Sequence, residues 1–358
     1  MPLNDDSLLL CYKILHEIFP EDLHIARPLI QMLQQRDQVD QTRTMALSVA
    51  RRMLAIGKAN HAIGFLTICQ QLAHPDKDEI NALNRMARIT SSSPTQIDSK
   101  SSQSFALIEQ LSDQEGLNFL KQGHFIHVEQ GDDIVRQGET SQTFYLILEG
   151  EVDVHITVQK GCRKDLDILR PGHFFGEFAC VYKLPRSATV TAKEKLLLLE
   201  FSDRSVAELM KHFPLAGDYL MRMVQSRMVQ AMTYSIPAFA ELAVEDRLWV
   251  AEKSIVDEYQ AGEQIILNHS GKACYILLSG KAKLGLPTGT DEHLVAGSMF
   301  GDVSPYLELL ANAELKATEH TLVCRIPEDI FHSFMNVYAP FEQYIKQTGD
   351  SRSTALQN

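Results

Sequence analysis

Long apolar runs are absent: no stretch approaches the about 20 residues that a helix needs to cross a bilayer, which argues against a channel. Paired cysteines are absent as well. The six cysteines (Cys11, Cys69, Cys162, Cys180, Cys274 and Cys324) are scattered with no CxxC pair, so reduced thiols are expected and a zinc site is not. Excess positive charge is missing too. Asp and Glu number 46 against 34 Lys and Arg, for a net charge of -12, and no local basic patch overrides the balance. Nucleic acid is therefore a poor partner, because phosphate neutralisation by Lys and Arg drives most of that affinity. The opening MPLNDDSLLL carries acids where a secretory signal carries positive charge, which predicts a cytoplasmic chain. No nucleophile–base grouping, metal-ligand spacing or Walker loop is found, so no catalytic residue, metal or cofactor is expected.

What is present is an ordinary globular balance, 45% apolar and 22% charged over 358 residues, long enough for two or three cores. Residues 1–90 read as a helical domain, with Leu8, Tyr12 and Leu15, then Ile25, Leu29 and Leu33, at three- and four-residue steps. From Ala46 two helical stripes meet at Gly57, and small Ala50, Gly57 and Ala62 with bulky Met53 and Leu66 resemble one tetratricopeptide-like hairpin. A generic helical bundle fits the same residues. Residues 91–104, SSSPTQIDSKSSQS, are Ser-rich and lack apolar periodicity, which marks a linker.

Beyond the linker the period becomes two. FIHVEQ, DIVRQG, TFYLILEGEVDVHITV, LDILRPG, SATVTA and KLLLLEF read as strands of an antiparallel roll, and a helical segment follows at 203–232. A second β-rich run then repeats the first. Gly131 answers Gly262 at an offset of 131, Gly150 answers Gly280 at 130, and Gly176 answers Gly301 at 125. The offset changes only where hairpin loops should lie, so the rolls are an internal duplication. The predicted fold class is α+β multidomain: an N-terminal helical bundle, then two antiparallel, jelly-roll-like β-rolls with flanking helices. The predicted domains are 1–90, 105–235 and 236–345, with a tail at 346–358.

The chemistry concentrates in PGHFFGEFACVYKLPRSATV, residues 171–190. Gly176 permits a close backbone approach or an unusual φ, and successive amides at a short helix start can form an anion nest. Glu177 offers a carboxylate able to accept from two hydroxyls, as a ribose supplies. Nine residues on, Arg186 offers a guanidinium with the fork geometry for phosphate, and Ser187 adds a hydroxyl. The competing reading is a Glu177–Arg186 ion pair that merely caps a turn.

The stretch FGEFA…PRSATV resembles the phosphate-binding cassette of the cyclic-nucleotide-binding domain family, and IVRQGE and YLILEGEV resemble its β-roll strands. That resemblance covers residues 105–235 strongly and 236–345 weakly. It implies that Glu177 takes the ribose 2′-hydroxyl and Arg186 the cyclic phosphate. Gly176, Phe178, Ala179, Cys180, Ser187 and Ala188 would complete the site, largely through backbone amides. In the second roll the same alignment puts Asp302, Ala311 and Asn312 at the positions of Glu177, Arg186 and Ser187, so the phosphate cation is missing and a degenerate copy is expected.

The expected function is a cytosolic receptor or adaptor that binds a cyclic nucleotide, with cyclic AMP preferred over cyclic GMP, and that alters inter-domain arrangement or partner binding. Cyclic di-GMP in the same roll, or a protein-interaction scaffold without a nucleotide, are the alternatives. A protein partner is expected through the helical domain or the second roll, and a homodimer is open. The base would be capped by the helix after the roll, through Arg222, Ser226, Thr233 or Tyr234. The methionines of that helix (Met210, Met221, Met223, Met228, Met232) read as packing, and His124 with His127 do not make a metal site. A transcription factor is set aside because the second roll occupies the place of a helix-turn-helix. A kinase regulatory subunit is set aside too: Arg51-Arg52-Met53-Leu54 lies mid-helix without a phosphoacceptor, and the second cassette is degenerate. The architecture points to a bacterial signalling adaptor.

Overall fold

The structure is a computed structural model that describes residues 2–91, 106–157, 163–239, 241–265, 272–285, 291–301 and 314–357. The expected linker beyond Ser91, and Asp302, Ala311 and Asn312 of the second cassette, lie outside the described residues. Contacts divide the chain into two compact units, Met1–Ile156 with Asp167–Leu220, and Thr157–Leu166 with Met221–Asn358.

The N-terminal stretch is helical, as the periodicity predicts: α1 (Asp5–Ile18), α2 (Leu23–Gln35), α3 (Val39–Ala55), α4 (Ala59–Gln71) and α5 (Lys77–Ser91). Asn4 caps α1 by accepting from the Ser7 amide. The α3–α4 hairpin turns at Gly57, where φ is +77° and the Lys58 amide donates back to the Met53 carbonyl at 2.8 Å. Ala50, Met53, Ala62 and Leu66 lie in the core between these helices. Small α6 (Ala106–Glu109) and α7 (Asp113–Lys121) follow, α7 opening on a Ser112–Glu115 capping box.

In the first unit the helices and the roll are joined directly. The Leu3 amide donates to the carbonyls of Lys121 and Gly123, each at 3.0 Å, and Lys121 pairs with Asp5 at 2.9 Å. Phe19, buried at the end of α1, lies against the turn at Gly172.

The first roll comprises β1 (His124–Val128), β2 (Asp133–Val135), β3 (Thr143–Glu149), β4 (Val152–Thr157), β5 (Arg163–Leu169), β6 (Phe174–Phe175), β7 (Thr189–Ala192) and β8 (Leu196–Ser202), with the short helix α8 (Glu177–Tyr182) between β6 and β7. Two antiparallel four-stranded sheets, β1-β8-β3-β6 and β2-β7-β4-β5, enclose Tyr145, Ile147, Val152, Phe175, Val190 and Leu198. The alternation read from the sequence supplies this inner face. Two-residue β6 is too short to leave a periodic signal.

The helical segment expected at 203–232 is two helices, α9 (Asp203–His212) and α10 (Pro214–Ser235). Pro214 has no amide to extend the ladder of α9, and it suits the first position of a new helix.

The second unit repeats the plan. After α11 (Val244–Lys253) come β9 (Ile255–Tyr259), β10 (Ala273–Ser279), β11 (Lys281–Gly285), β12 (Asp291–Val295), β13 (Met299–Gly301), β14 (Glu314–Ala317) and β15 (Thr321–Pro327), then α12 (Glu328–Val337) and α13 (Ala339–Gln357). Its sheet order β13-β10-β15-β9 is that of β6-β3-β8-β1. The duplication extends to single hydrogen bonds. The Gly131 amide donates to Ala192 at 2.9 Å and Gly262 to Ala317 at 2.8 Å, while Gly172 donates to Ile147 and Gly297 to Leu277, both at 2.8 Å. Sequence offsets between glycines thus report a repeated turn framework.

Arg247 of α11 is only 3% exposed and donates to the carbonyls of Thr233, Phe239 and Leu242, while its guanidinium lies 4.1 Å from the centre of the Tyr234 ring. Thr233 and Tyr234, two of the expected base-capping residues, are thereby engaged within the second unit. Trp249, also on α11, meets the Phe334 ring edge-on at 5.9 Å.

Candidate functional site

The site is built where β6 runs into α8. Gly176 caps α8 with φ +85°, a left-handed conformation that glycine adopts without penalty. The turn also needs the missing side chain. A Cβ at Gly176 would lie 2.6 Å from the Thr143 carbonyl oxygen and 2.8 Å from Nη1 of Arg186. Gly176 therefore lets the backbone close onto the arginine that lies ten residues further along.

Arg186 is only 4% exposed, and its guanidinium is gripped on three sides. Nε donates to Oγ of Ser141 at 3.0 Å, and Nη2 donates to Oγ1 of Thr143 at 2.8 Å. Nη1 donates to the carbonyl oxygens of Thr143 at 2.9 Å and Gly176 at 2.8 Å. The backbone is fixed too: the Arg186 amide donates to Glu139 at 2.8 Å and its carbonyl accepts from Gly138 at 2.9 Å. The fork is thus held by the β2–β3 loop, the start of β3 and the cassette glycine.

Every acceptor in that grip is neutral. Among the described residues no carboxylate stands within ion-pair distance of Arg186, so the expected competing arrangement, a Glu177–Arg186 ion pair, is not formed. Burial pulls the guanidinium below its ordinary pKa, and the neighbouring ionisable groups, Glu177 and Glu139 among them, offset this only in part. Glu177 itself is buried at 5% exposure on the first turn of α8. Two buried ionisable groups of opposite sign, not paired with each other, flank a six-residue helix.

The remaining predicted residues are distributed around this centre. Ala179 and Cys180 are buried on α8, with the Cys180 thiol pushed up to about 11 by burial. Phe178 is half-buried, its ring 5.8 Å from that of Tyr182, Ser187 is exposed and Ala188 half-buried. Sequence reasoning missed Ser141 and Thr143, which hold the guanidinium. Their signal was the hydroxyl-rich run ETSQT immediately before an otherwise apolar strand. His124 is paired with Glu200 at 2.5 Å.

The second roll lacks one visible part of this grip. Ala273 opens β10 where Thr143 opens β3, so the hydroxyl that would receive a guanidinium is gone. Gly301 also departs from its counterpart, with φ +152°.

The profile of the cyclic nucleotide-binding domain matches residues 125–213 and 256–338. Two segments of this chain, one in each roll, therefore belong to the cyclic nucleotide-binding domain family. A cAMP-dependent protein kinase regulatory subunit of Eremothecium gossypii is 25% identical over 228 residues, 63% of this chain and 46% of that protein. A cGMP-dependent protein kinase of Plasmodium berghei is 29% identical over 202 residues, 55% of this chain and 22% of that protein. Among solved structures, the regulatory domain of Toxoplasma gondii PKA with cAMP shares 19% identity over 70% of this chain and 92% of its own, with a TM-score of 0.30. The chain spans about half the length of the curated regulatory subunits it matches, 46% of one and 52% of another. These relatives are eukaryotic kinase components and give no support to the bacterial origin expected from the architecture. No described helix is long and apolar enough to cross a membrane.

Proposed function

We propose that the first roll binds a cyclic nucleotide, with cyclic AMP as the preferred ligand, and that the chain is a receptor passing that event to a protein partner. The observation that carries this reading is the setting of Arg186. A guanidinium that is 4% exposed is met only by hydroxyls and carbonyls, so the described residues give this buried cation no charged partner at hydrogen-bond distance. A phosphate monoanion offers the fork a charged partner. Glu177, buried at the start of α8, is the matching acceptor for a ribose 2′-hydroxyl. Backbone groups of Gly176, Phe178, Ala179 and Cys180, with Ser187 and Ala188, complete the proposed contacts. Family membership of residues 125–213 supports the same ligand class.

The test is calorimetric titration of the chain with cyclic AMP, cyclic GMP and cyclic di-GMP, alongside Arg186→Ala. One nucleotide per chain, weakened about a hundredfold by the substitution, is the expected result. If none of the three binds the wild type, the receptor reading is wrong and a protein-interaction scaffold replaces it.

A second reading concerns the partner. The names of the relatives favour a protein kinase catalytic subunit, the possibility that the sequence alone set aside. Co-sedimentation with the catalytic subunit of a cyclic-AMP-dependent kinase, released by cyclic AMP, would support it. No association at micromolar concentrations would refute it.

A further inference from the structure

The hydroxyl that receives Arg186 does not end the hydrogen bonding. Thr143 Oγ1, having accepted from Nη2 of Arg186 at 2.8 Å, donates to the Tyr145 hydroxyl at 2.7 Å. Tyr145 stands directly opposite Glu200 in the β3–β8 register, and Glu200 stands directly opposite His124 in the β8–β1 register. The Glu200 carboxylate pairs with Nε2 of His124 at 2.5 Å. Burial first, then the charge and acceptor oxygens of Glu200, push the Tyr145 phenol up to about 12, so the phenol keeps its proton. The Thr143 hydroxyl therefore donates away from the cation, to Tyr145, and the Glu200 carboxylate lies across the strand pair from that phenol.

We propose that Tyr145 and Glu200 are positioning residues for Arg186: the chain Arg186–Thr143–Tyr145–Glu200–His124, running across three strands, orients the guanidinium that receives the ligand phosphate. This rests on the reading of Arg186 as the phosphate cation. The orienting step is the Thr143 hydroxyl. Because its proton is committed to Tyr145, its lone pair is presented to Nη2, and the fork is fixed in the plane that the two carbonyls on Nη1 define.

The duplicated roll supplies an internal comparison. Its counterparts of Thr143, Glu200 and His124 are Ala273, Arg325 and Ile255, and the registers Tyr275↔Arg325 and Arg325↔Ile255 place them on the same three strands. The sequence puts Ala311 where Arg186 would be. The copy without the cation is thus also without the acceptors leading away from it. Tyr275 remains, stacked on Phe300 as Tyr145 is stacked on Phe175, so the ring has a packing role in both rolls.

The experiment compares wild type, Tyr145→Phe, Glu200→Gln and Glu200→Asp in the full chain. Affinities are measured for cyclic AMP and for its two phosphorothioate diastereomers, which place sulfur on one or the other exocyclic position. Tyr145→Phe and Glu200→Gln are expected to weaken cyclic AMP about tenfold and to shrink the ratio between diastereomers, with Glu200→Asp restoring most of both. Unchanged affinity and an unchanged ratio in both variants would overturn the proposal. A second readout needs no ligand. The Arg186 guanidinium nitrogens, assigned by their loss in Arg186→Lys, should give separate NMR signals in wild type and averaged ones in Tyr145→Phe. Should the wild type bind no nucleotide, the phosphate reading alone fails, and this signal still decides the chain: equally separate signals in Tyr145→Phe would overturn it.

Discussion

Substituting Gly176 by Ala tests the site at its tightest point. Two costs add. At φ +85° a residue with a Cβ pays about 1–2 kcal/mol, and the same charge falls on Gly131→Ala, where φ is +90° and nothing lies within 4 Å of the added atom. Only Gly176→Ala meets the second cost. Its methyl would sit 2.6 Å from the Thr143 carbonyl and 2.8 Å from Nη1 of Arg186, so the guanidinium must shift and give up its bonds to the Thr143 and Gly176 carbonyls. A hydrogen bond to a charged group contributes about 1.5–3 kcal/mol. Gly131→Ala should therefore cost about 1–2 kcal/mol, and Gly176→Ala about 4–8 kcal/mol if both bonds are lost. Amide hydrogen exchange at β3 and β7 in denaturant measures both, and cyclic AMP titration should show weakened binding only for Gly176→Ala. Equal stability losses and equal affinities in the two variants would mean that the glycine serves the turn alone and does not seat the arginine.

Two further outcomes follow from named groups. The Asp133 carboxyl is held below the usual carboxylate range, first by the Thr191 hydroxyl and then by Arg136. A depressed folded pKa stabilises at pH above the unfolded value of about 4 and is lost as pH falls through the folded value, so Asp133→Asn should flatten the acid limb of the stability curve; parallel curves would contradict this. In the second unit, Arg247→Met would leave the carbonyls of Thr233, Phe239 and Leu242 without their buried donor. A loss of about 3 kcal/mol or more is expected in a thermal scan, and a loss below about 1 kcal/mol would show that water replaces the guanidinium at no cost.

The sequence was most informative where backbone geometry demands a residue type. Gly131 and Gly262, with φ of +90° and +89°, and Gly150 and Gly280, with +84° and +85°, mark turns that a side chain would strain, so their offsets exposed the duplication before any strand was placed. The cassette was legible because Gly176, Glu177 and Arg186 are close in sequence. The grip on Arg186 was not, since Ser141 and Thr143 lie more than forty residues away and meet it only through the register of β3. Side chains opposite one another on neighbouring strands, such as His124, Glu200 and Tyr145, carry no local pattern at all. The competing reading of Glu177 and Arg186 as an ion pair could be settled only by seeing which acceptors the guanidinium reaches.

The chain has a single tryptophan, and it is Trp249, set edge-on to Phe334 in the second unit. Indole emission excited at long wavelength consequently reports one neighbourhood on α11, beside Phe334. Any change of colour or intensity on adding ligand would be news from that one helix, and its rate could be timed without a label being attached.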